Sequence, residues 1–584
     1  MPELSIYDYI VIAVYFMFML SIGFITKRMI TNTSDYFRGG GKMLWWMAGA
    51  SAFMTQFSAW SFTGAASEAY KNGFIILTIF LANALGFAGN AFYFAPKFRQ
   101  MRVVTPIQAV RQRYGSTSEQ FFTWLQIPVG TLQAGIWLFG LAIFISSVFG
   151  FPLEPTIVVV GFIVTLNSLL GGSWAVVASD FMQTVILMLI AIVTAIFSLM
   201  DVGGPANLVA EFPAKHIILG NDYNYAGLIV AWMALMFVNQ FCKTNQMIEA
   251  SRYLNAKDSK NARKAALLSM TLFIVGPVLW FIPPMVSRVK YPDLTEVFPQ
   301  LGEKATEAAY VAIALDTLPM GMIGLLVAGM FAATISSMDS GLNRNAGILV
   351  KNFYLAVVNK NATERSQMIV AKVLTVLLGC ITVGAAIFYN SLKNFGLFDL
   401  MLTVGALISL PMAVPLILGI IIKKTPDWSA WSTALLGLCC SYMIKFHFNA
   451  AWYSETFDLG FTIREGAYFN VAQGVLVNVT IPTIFYLCTT FFYKEPSEKR
   501  KEVLDEYWDN LDTPVLSEDT AEEAESDAAQ GSILGGLAGA YGTFVLLLCL
   551  VPNDMAGRTA FLLSGLALIT LGGLLYKSTR PKGA

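Results

Sequence analysis

The sequence predicts an all-α polytopic membrane protein, and three observations carry that prediction. Of 584 residues, 56% are hydrophobic and only 13% charged, and the mean hydropathy is +0.61, far from the composition of a soluble domain. Apolar stretches of about 20 residues, the length that crosses a bilayer, succeed one another along nearly the whole chain. Basic residues gather in alternate gaps between those stretches.

A hydropathy reading places fifteen helices at 6–27, 44–70, 73–95, 118–147, 153–172, 174–200, 224–248, 264–287, 310–342, 367–389, 396–422, 428–446, 467–493, 531–550 and 559–576. The first has no basic leader and no small-residue cleavage site, so it reads as a retained span and the mature chain as beginning near Met1. Windows 44–70 and 224–248 carry polar insertions at comparable places, Thr55-Gln-Phe-Ser-Ala-Trp-Ser61 and Asn239-Gln-Phe-Cys-Lys-Thr-Asn-Gln246. The 310–342 window holds Ala333-Thr-Ile-Ser336-Ser337-Met-Asp339-Ser340.

Charge placement fixes an expected orientation. Lys27, Arg28, Arg38 and Lys42, then Lys97, Arg99, Arg102, Arg111 and Arg113, then Arg252, Lys257, Lys260, Arg263 and Lys264, then Arg344, Lys351, Lys360 and Arg365, then Lys423 and Lys424 fall in alternate gaps. Lys577, Arg580 and Lys582 follow in the tail, whereas gaps 201–223 and 455–465 are acidic or mixed. The positive-inside bias therefore predicts an outside N-terminus and a cytoplasmic C-terminus. Lys+Arg and Asp+Glu both number 38, and nothing points to nucleic-acid binding.

Residues 494–530 are polar, with thirteen acidic and four basic residues. They read as a largely disordered acidic linker with a short helix near 503–508, tethering two further spans. The six cysteines lack metal-ligand spacing and read as reduced packing residues, and His216 and His447 are too few for a proton relay. No nucleophile–base or metal constellation is present, so an enzyme is not expected.

In the serine segment Ala333, Ser336, Ser337 and Ser340 recur at i, i+3, i+4 and i+7 and form one small-residue stripe. Such a stripe permits close helix packing, or it holds a bare cation. Asp339 favours the cation, because a carboxylate at membrane depth costs about 2.5–3.5 kcal/mol and is kept for an ion, a proton or a partner.

Several phrases together resemble the sodium/solute symporters, the family of bacterial sodium/galactose, sodium/proline and sodium/sialic acid transporters. They are Tyr93-Phe-Ala-Pro96-Lys-Phe98, Thr105-Pro106, Gly171-Gly-Ser-Trp-Ala-Val-Val-Ala-Ser-Asp180-Phe-Met-Gln183, Arg252-Tyr-Leu-Asn-Ala-Lys257, Ala332 to Ser340 and Gly419-Ile-Ile-Ile-Lys-Lys-Thr425. The resemblance implies a leucine-transporter-like inverted repeat of five plus five helices, with one helix before and about four after. Its layout is an extra helix and loop (1–43), repeats at 44–200 and 224–425, two more helices (426–493), the linker (494–530) and two C-terminal helices (531–584), in a bacterial inner membrane.

The resemblance also implies function: sodium-coupled import of a small polar solute. Its sodium site falls on the carbonyls of Met54, Phe57 and Ala333 and the hydroxyls of Ser336 and Ser337. A second cation set falls on Asp180, Ser336, Ser337 and Ser340, with Asp339 in place of a hydroxyl. The alternatives for Asp180 are a hydrogen-bonded carboxylate that caps or gates on the cytoplasmic side, or a proton shared with Asp339 in a proton-coupled transporter. The galactose contacts of the family are replaced here by Trp60, Ser61, Phe80, Phe273 and, near its glutamine, Leu402.

The polar residues around the expected cavity are Gln56, Ser58, Trp60, Ser61, Asn83, Gln133, Lys243, Thr244, Asn245 and Gln246, with Glu249 close by. Amides, hydroxyls and an indole suit a sugar, and Lys243 suits a sugar acid of the uronate type, unless it pairs with Glu249 or snorkels. An amino acid or another organic acid is the alternative solute.

Overall fold

The computed structural model describes residues 4–26, 39–169, 173–213, 223–392, 396–517 and 521–579. The polar insertion in the 44–70 window interrupts the helix there. Trp45–Thr55 and Gly64–Asn72 are half-length helices separated by an extended Ser58 (φ −156°, ψ 179°) and a tight turn, Ala59–Phe62. Eleven helical residues rise about 16 Å, roughly half of the ~30 Å hydrocarbon layer. The second insertion acts alike: Ala226–Thr244 ends before an extended Gln246, and the chain resumes through Met247–Ala250 into Ser251–Leu254.

The two broken helices run in opposite senses. Residues entering the first meet residues leaving the second: Met43 N–H donates to Asn255 O at 3.0 Å, and Lys257 N–H donates to Met43 O at 2.9 Å. The inverted repeat is thereby visible at one membrane face. That face also carries Arg99, Arg102 and Lys423 and is called the basic face below.

Twelve helices among the described residues are long and apolar enough to cross a membrane, whereas fifteen spans are expected from hydropathy. The difference is physical. The first half-helix is too short to cross alone, Leu153–Ser168 is also short, and Ser429–Phe446 is a more mixed helix of 18 residues. The 310–342 window divides into Ala309–Thr317 and Met322–Leu349 at Gly321, whose φ of 91° ends the first helix's direction.

Glycine sets the packing of the first half-helix. A Cβ on Gly49 would sit 2.7 Å from Ala265 O, and Ser269 Oγ donates to Gly49 O at 2.8 Å. The helix Ser259–Lys290 therefore lies directly against the backbone leading to the break. All six cysteines are free thiols. His216 lies outside the described residues.

Residues 494–517 and 521–530 depart from the largely disordered linker expected, and the short helix expected near 503–508 lies within a longer one. Glu498–Asp512 is a helix docked on the basic face with Tyr507 and Leu511 buried. Arg500 Nε and Nη2 donate to the two Asp427 carboxylate oxygens at 2.9 Å each, and Lys97 and Lys423 each lie 3.2 Å from Asp512. The Arg113 guanidinium sits over both the Tyr114 and Trp508 rings, 4.7 and 5.3 Å from their centroids. Further along, Val515 and Ser259 exchange hydrogen bonds at 3.0 and 3.1 Å, Lys257 pairs with Glu523 and Asp527, and Gln530 bonds Lys42 O and Leu44 N–H. Acidity alone argues for disorder; it is the facing basic loops that supply the counter-charge and make this segment a strap.

Lys97 and Lys423, by their hydrogen bonds, hold the Asp512 carboxyl below the usual carboxylate range. A depressed folded value means a stabilising contribution present above the unfolded value of ~3.9 and lost as pH falls through the folded one. Protection of 498–512 against hydrogen exchange, taken relative to the intrinsic amide rate at each pH, should therefore be high at pH 6 and fall below pH ~4. Because these pairs are exposed, ~1 M salt should also lower it; protection insensitive to both would contradict the strap.

Candidate functional site

A helix broken inside a membrane leaves backbone groups without partners, and each must find one. Phe57 N–H turns back to Met54 O at 3.2 Å, and the serine helix, Met322–Leu349, supplies the rest. Ser337 Oγ lies 2.7 Å from Phe57 O and 3.2 Å from Met54 O, while Thr334 Oγ1 accepts from Ala59 N–H at 3.2 Å. Three oxygens, two carbonyl and one hydroxyl, thus converge in a buried place. Ala333 is fully buried one turn away on the same helix.

Ser336 faces elsewhere. Its hydroxyl donates to one Asp180 carboxylate oxygen, and Ser51 donates to the other. Arg252 Nη2 lies 3.7 Å from Asp180 Oδ2, and its Nε donates to Thr55 Oγ1 at 3.1 Å. The five residues of the expected sodium set are therefore brought to one region, with Met54, Phe57 and Ser337 in direct contact and Ser336 one hydrogen bond away at Asp180. The second set divides: Asp180 and Ser336 meet, Ser337 belongs to the break, and the side chains of Asp339 and Ser340 lie outside the described residues.

A polar cavity lies beside the break. Gln56, Gln126, Gln133, Lys243, Gln246, Glu249 and Ser409 line it with Val129 and Met412. Gln56 is exposed although it lies in the interior of a span. The Lys243 ammonium makes no hydrogen bond or ion pair with another described residue; Glu249 is the charge that acts on it. A cation so placed, among four primary amides, presents donors to an incoming solute.

An aromatic stack lies outside the lining of that cavity. Trp60 stacks between Phe398 (6.1 Å, 8°) and Phe80 (6.4 Å, 21°), and its indole N–H donates to Leu397 O at 3.1 Å. Leu397 N–H in turn donates to Glu307 at 2.8 Å. Burial pushes the Glu307 carboxyl, in the segment Pro299–Ala308 between spans, up to about 7.

Of the solute residues expected from sequence, Gln56, Gln133, Lys243 and Gln246 line this cavity. Trp60 is buried in the aromatic stack and does not line the cavity, and Ser58 Oγ accepts from Trp60 N–H at 3.3 Å. Ser61 and Asn83 are buried away from it. Asn245 is not at the cavity in this conformation, since its amide donates to Gly86 O and Phe241 O at 3.0 and 2.8 Å. Thr244 packs against Gly86. Sequence reasoning missed Ser51, Gln126, Ser409 and the burial of Arg252. Gln126 was findable, at i−7 from Gln133 on one face of an apolar helix; Arg252 was hidden among the loop cations that set orientation.

Comparison with known proteins agrees with this architecture. A model of the Sodium:solute symporter family matches residues 36–437, more than half of the chain, and the chain belongs to that family. The pig sodium/myo-inositol cotransporter 2 is 27% identical over 74% of this chain and 68% of its own length, and the mouse sodium/glucose cotransporter 1 is 26% identical over 74% and 70%. In fold the chain resembles a sodium-coupled sialic acid symporter in a substrate-bound outward-open state, at TM-score 0.64, 20% identity and coverage of 83% and 98%. The hydantoin-bound structure of MHP1, a nucleobase-cation-symport-1 family transporter, aligns at TM-score 0.50. The protein is a sodium-coupled symporter of a small solute with an inverted-repeat fold, and not an enzyme.

The Asp180–Arg252 pair gives a clean test of the buried polar network. Arg252→Gln leaves the buried carboxylate without its counter-charge and should cost about 3–5 kcal/mol, read as a lowered melting temperature in detergent. Adding Asp180→Asn should recover most of that loss. Equal melting of the single variant and the wild type would show the pair to be idle.

Proposed function

We propose that this protein imports a polyhydroxylated solute bearing a carboxylate, a sugar acid of the uronate type, together with sodium. The observation that carries the reading is Lys243, a cation without a bonded partner among the described residues, facing a cavity whose other polar lining is Gln56, Gln126, Gln133, Gln246, Ser409 and Glu249. The amides take hydroxyls and the ammonium takes the carboxylate. The inositol and glucose in the names of two relatives support a polyol frame for the solute. Glu249 in the same cavity supports a second reading, a neutral polyol with Lys243 balanced by that carboxylate.

Sodium sits, in this reading, among the carbonyls of Met54, Phe57 and Ala333 and the hydroxyls of Ser337 and Ser336. Neutral oxygens replace the hydration shell of a hard monovalent ion without the cost of stripping a carboxylate. The ion joins the break to the serine helix, so it favours the arrangement of the break that binds solute better, and coupling is that difference in affinity. For sodium to occupy the place, the Ser337 hydroxyl hydrogen turns away from Phe57 O, and both oxygens face the ion. The basic face is cytoplasmic and the N-terminus outside, in keeping with the positive-inside distribution. Gln56 exposed at the cavity and Trp60 buried in its aromatic stack support an inward-facing state.

Sodium-driven uptake into proteoliposomes tests this directly. Labelled glucuronate should accumulate with a sodium gradient and not when choline replaces sodium, and excess glucuronate should compete better than myo-inositol. Ser337→Ala, which removes a ligand worth about 1–3 kcal/mol, should raise the half-saturating sodium concentration about tenfold or more with little change in protein yield. Unchanged sodium activation in that variant would remove Ser337 from the site, and preference for myo-inositol would favour the neutral polyol.

A further inference from the structure

The helix Leu397–Ile421 that faces Lys243 is not regular. It carries a π-turn at Gly405–Ser409, and Ser409 of that turn lines the cavity. A π-turn displaces one carbonyl from the usual ladder, and here Asn478 Nδ2, from Ile463–Thr489, donates to Ala406 O at 3.0 Å and to Ser441 Oγ at 2.7 Å. The turn is thereby pinned from the side opposite the cavity. On the cavity side nothing but the absence of a side chain at Gly405 makes room: a Cβ there would lie 2.6 Å from Lys243 Nζ, 3.4 Å from Cε and 3.9 Å from Cδ.

We propose that Gly405 positions the Lys243 ammonium in the cavity and thereby sets the charge of the solute the transporter accepts. The proposal rests on the reading of Lys243 as the partner of a solute carboxylate. Two possibilities exist when a methyl is added at 405: the backbone moves or the lysine does. The backbone is held by Asn478, whereas Nζ is the far end of four rotatable bonds, so the lysine yields. The ammonium then moves by about the overlap relieved, roughly 1 Å against an ordinary contact of ~3.5–4 Å. Such a displacement damages a charge-assisted hydrogen bond far more than the contacts of the surrounding amides. Glycine at this place is therefore a positioning residue, and its effect passes through Lys243 alone.

The experiment is sodium-driven uptake of labelled glucuronate and of labelled myo-inositol by full-length protein in proteoliposomes, for the wild type, Gly405→Ala, Lys243→Ala and the double substitution. Gly405→Ala should raise the KM for glucuronate about tenfold or more, while the KM for myo-inositol and the half-saturating sodium concentration stay within about twofold. In the Lys243→Ala background Gly405→Ala should have no further effect on either solute. Melting temperatures accompany the assay: if Gly405→Ala alone is destabilised, Lys243→Ala should restore it, because the clash is gone. A Gly405→Ala effect that is equal for both solutes, or that persists in the Lys243→Ala background, overturns the proposal. Lys243→Ala handling glucuronate as the wild type does overturns the underlying reading instead, and transport of neither solute by the wild type overturns both.

Discussion

The structure depends on one constraint: backbone polar groups exposed by a broken helix at membrane depth must be satisfied, and water is not there to do it. The interval from Met54 to Ala59 leaves carbonyls and an amide outside the helical ladder. Two hydroxyls of a helix almost 280 residues later answer them, Ser337 to the carbonyls of Met54 and Phe57 and Thr334 to the amide of Ala59. Neutral oxygens gathered to satisfy a backbone are also the ligands a dehydrated sodium ion needs. At the proposed sodium site, structural necessity and ion binding draw on the same atoms, and the proposed ion, by competing for them, reshapes the joint between the two broken helices and the serine helix. One sodium crossing a potential of 100 mV carries about 2.3 kcal/mol, which sustains a roughly 50-fold gradient of a neutral solute; with an anionic solute a single sodium moves no net charge, and the sodium concentration gradient alone drives accumulation.

Around that joint the molecule is asymmetric. On one side Trp60 is clamped by Phe80, Phe398 and the Leu397 carbonyl, and the Glu307 carboxylate ties Leu397 to the segment 299–308. On the other, Gln56, Lys243 and Gln246 face a polar cavity, and Asp180 with Arg252 closes a second buried network. The strap at 498–530 ties the ends of several of these elements together across the basic face: Arg500 reaches Asp427, Val515 reaches Ser259, and Gln530 reaches the start of the first half-helix. A change of access must therefore work against, or with, a set of exposed ion pairs, individually weak but acting together.

Much of this was legible in the sequence because the membrane imposes a simple code. Hydropathy placed most of the spans, basic gaps marked one face, and polar insertions at 55–61 and 239–246 stand where the helices break, although without proline the breaks themselves followed from the family resemblance. The serine stripe stood out by its spacing, and the family resemblance joined it to the first break. What hydropathy does not encode is where a chain turns within an apolar run, so the half-helix at 45–55 and the division at Gly321 were merged into longer spans. Nor does local composition report distant counter-charges. The acidic 494–530 segment read as disordered because Lys97, Lys257 and Lys423 are remote in sequence, and Arg252 read as a loop cation because Asp180 lies 72 residues away. Asn245 looked like a solute ligand by position, yet its Nδ2 donates to the Gly86 and Phe241 carbonyls.

The central claim is that the break and the serine helix share a sodium ion. Amide hydrogen exchange across residues 54–62 of the purified protein, in sodium against potassium at equal ionic strength, tests it most directly. Ligation of the Met54 and Phe57 carbonyls predicts slower exchange in sodium, saturating with its concentration and confined to this stretch and the facing turn at 333–337. Identical exchange in the two salts would contradict the account.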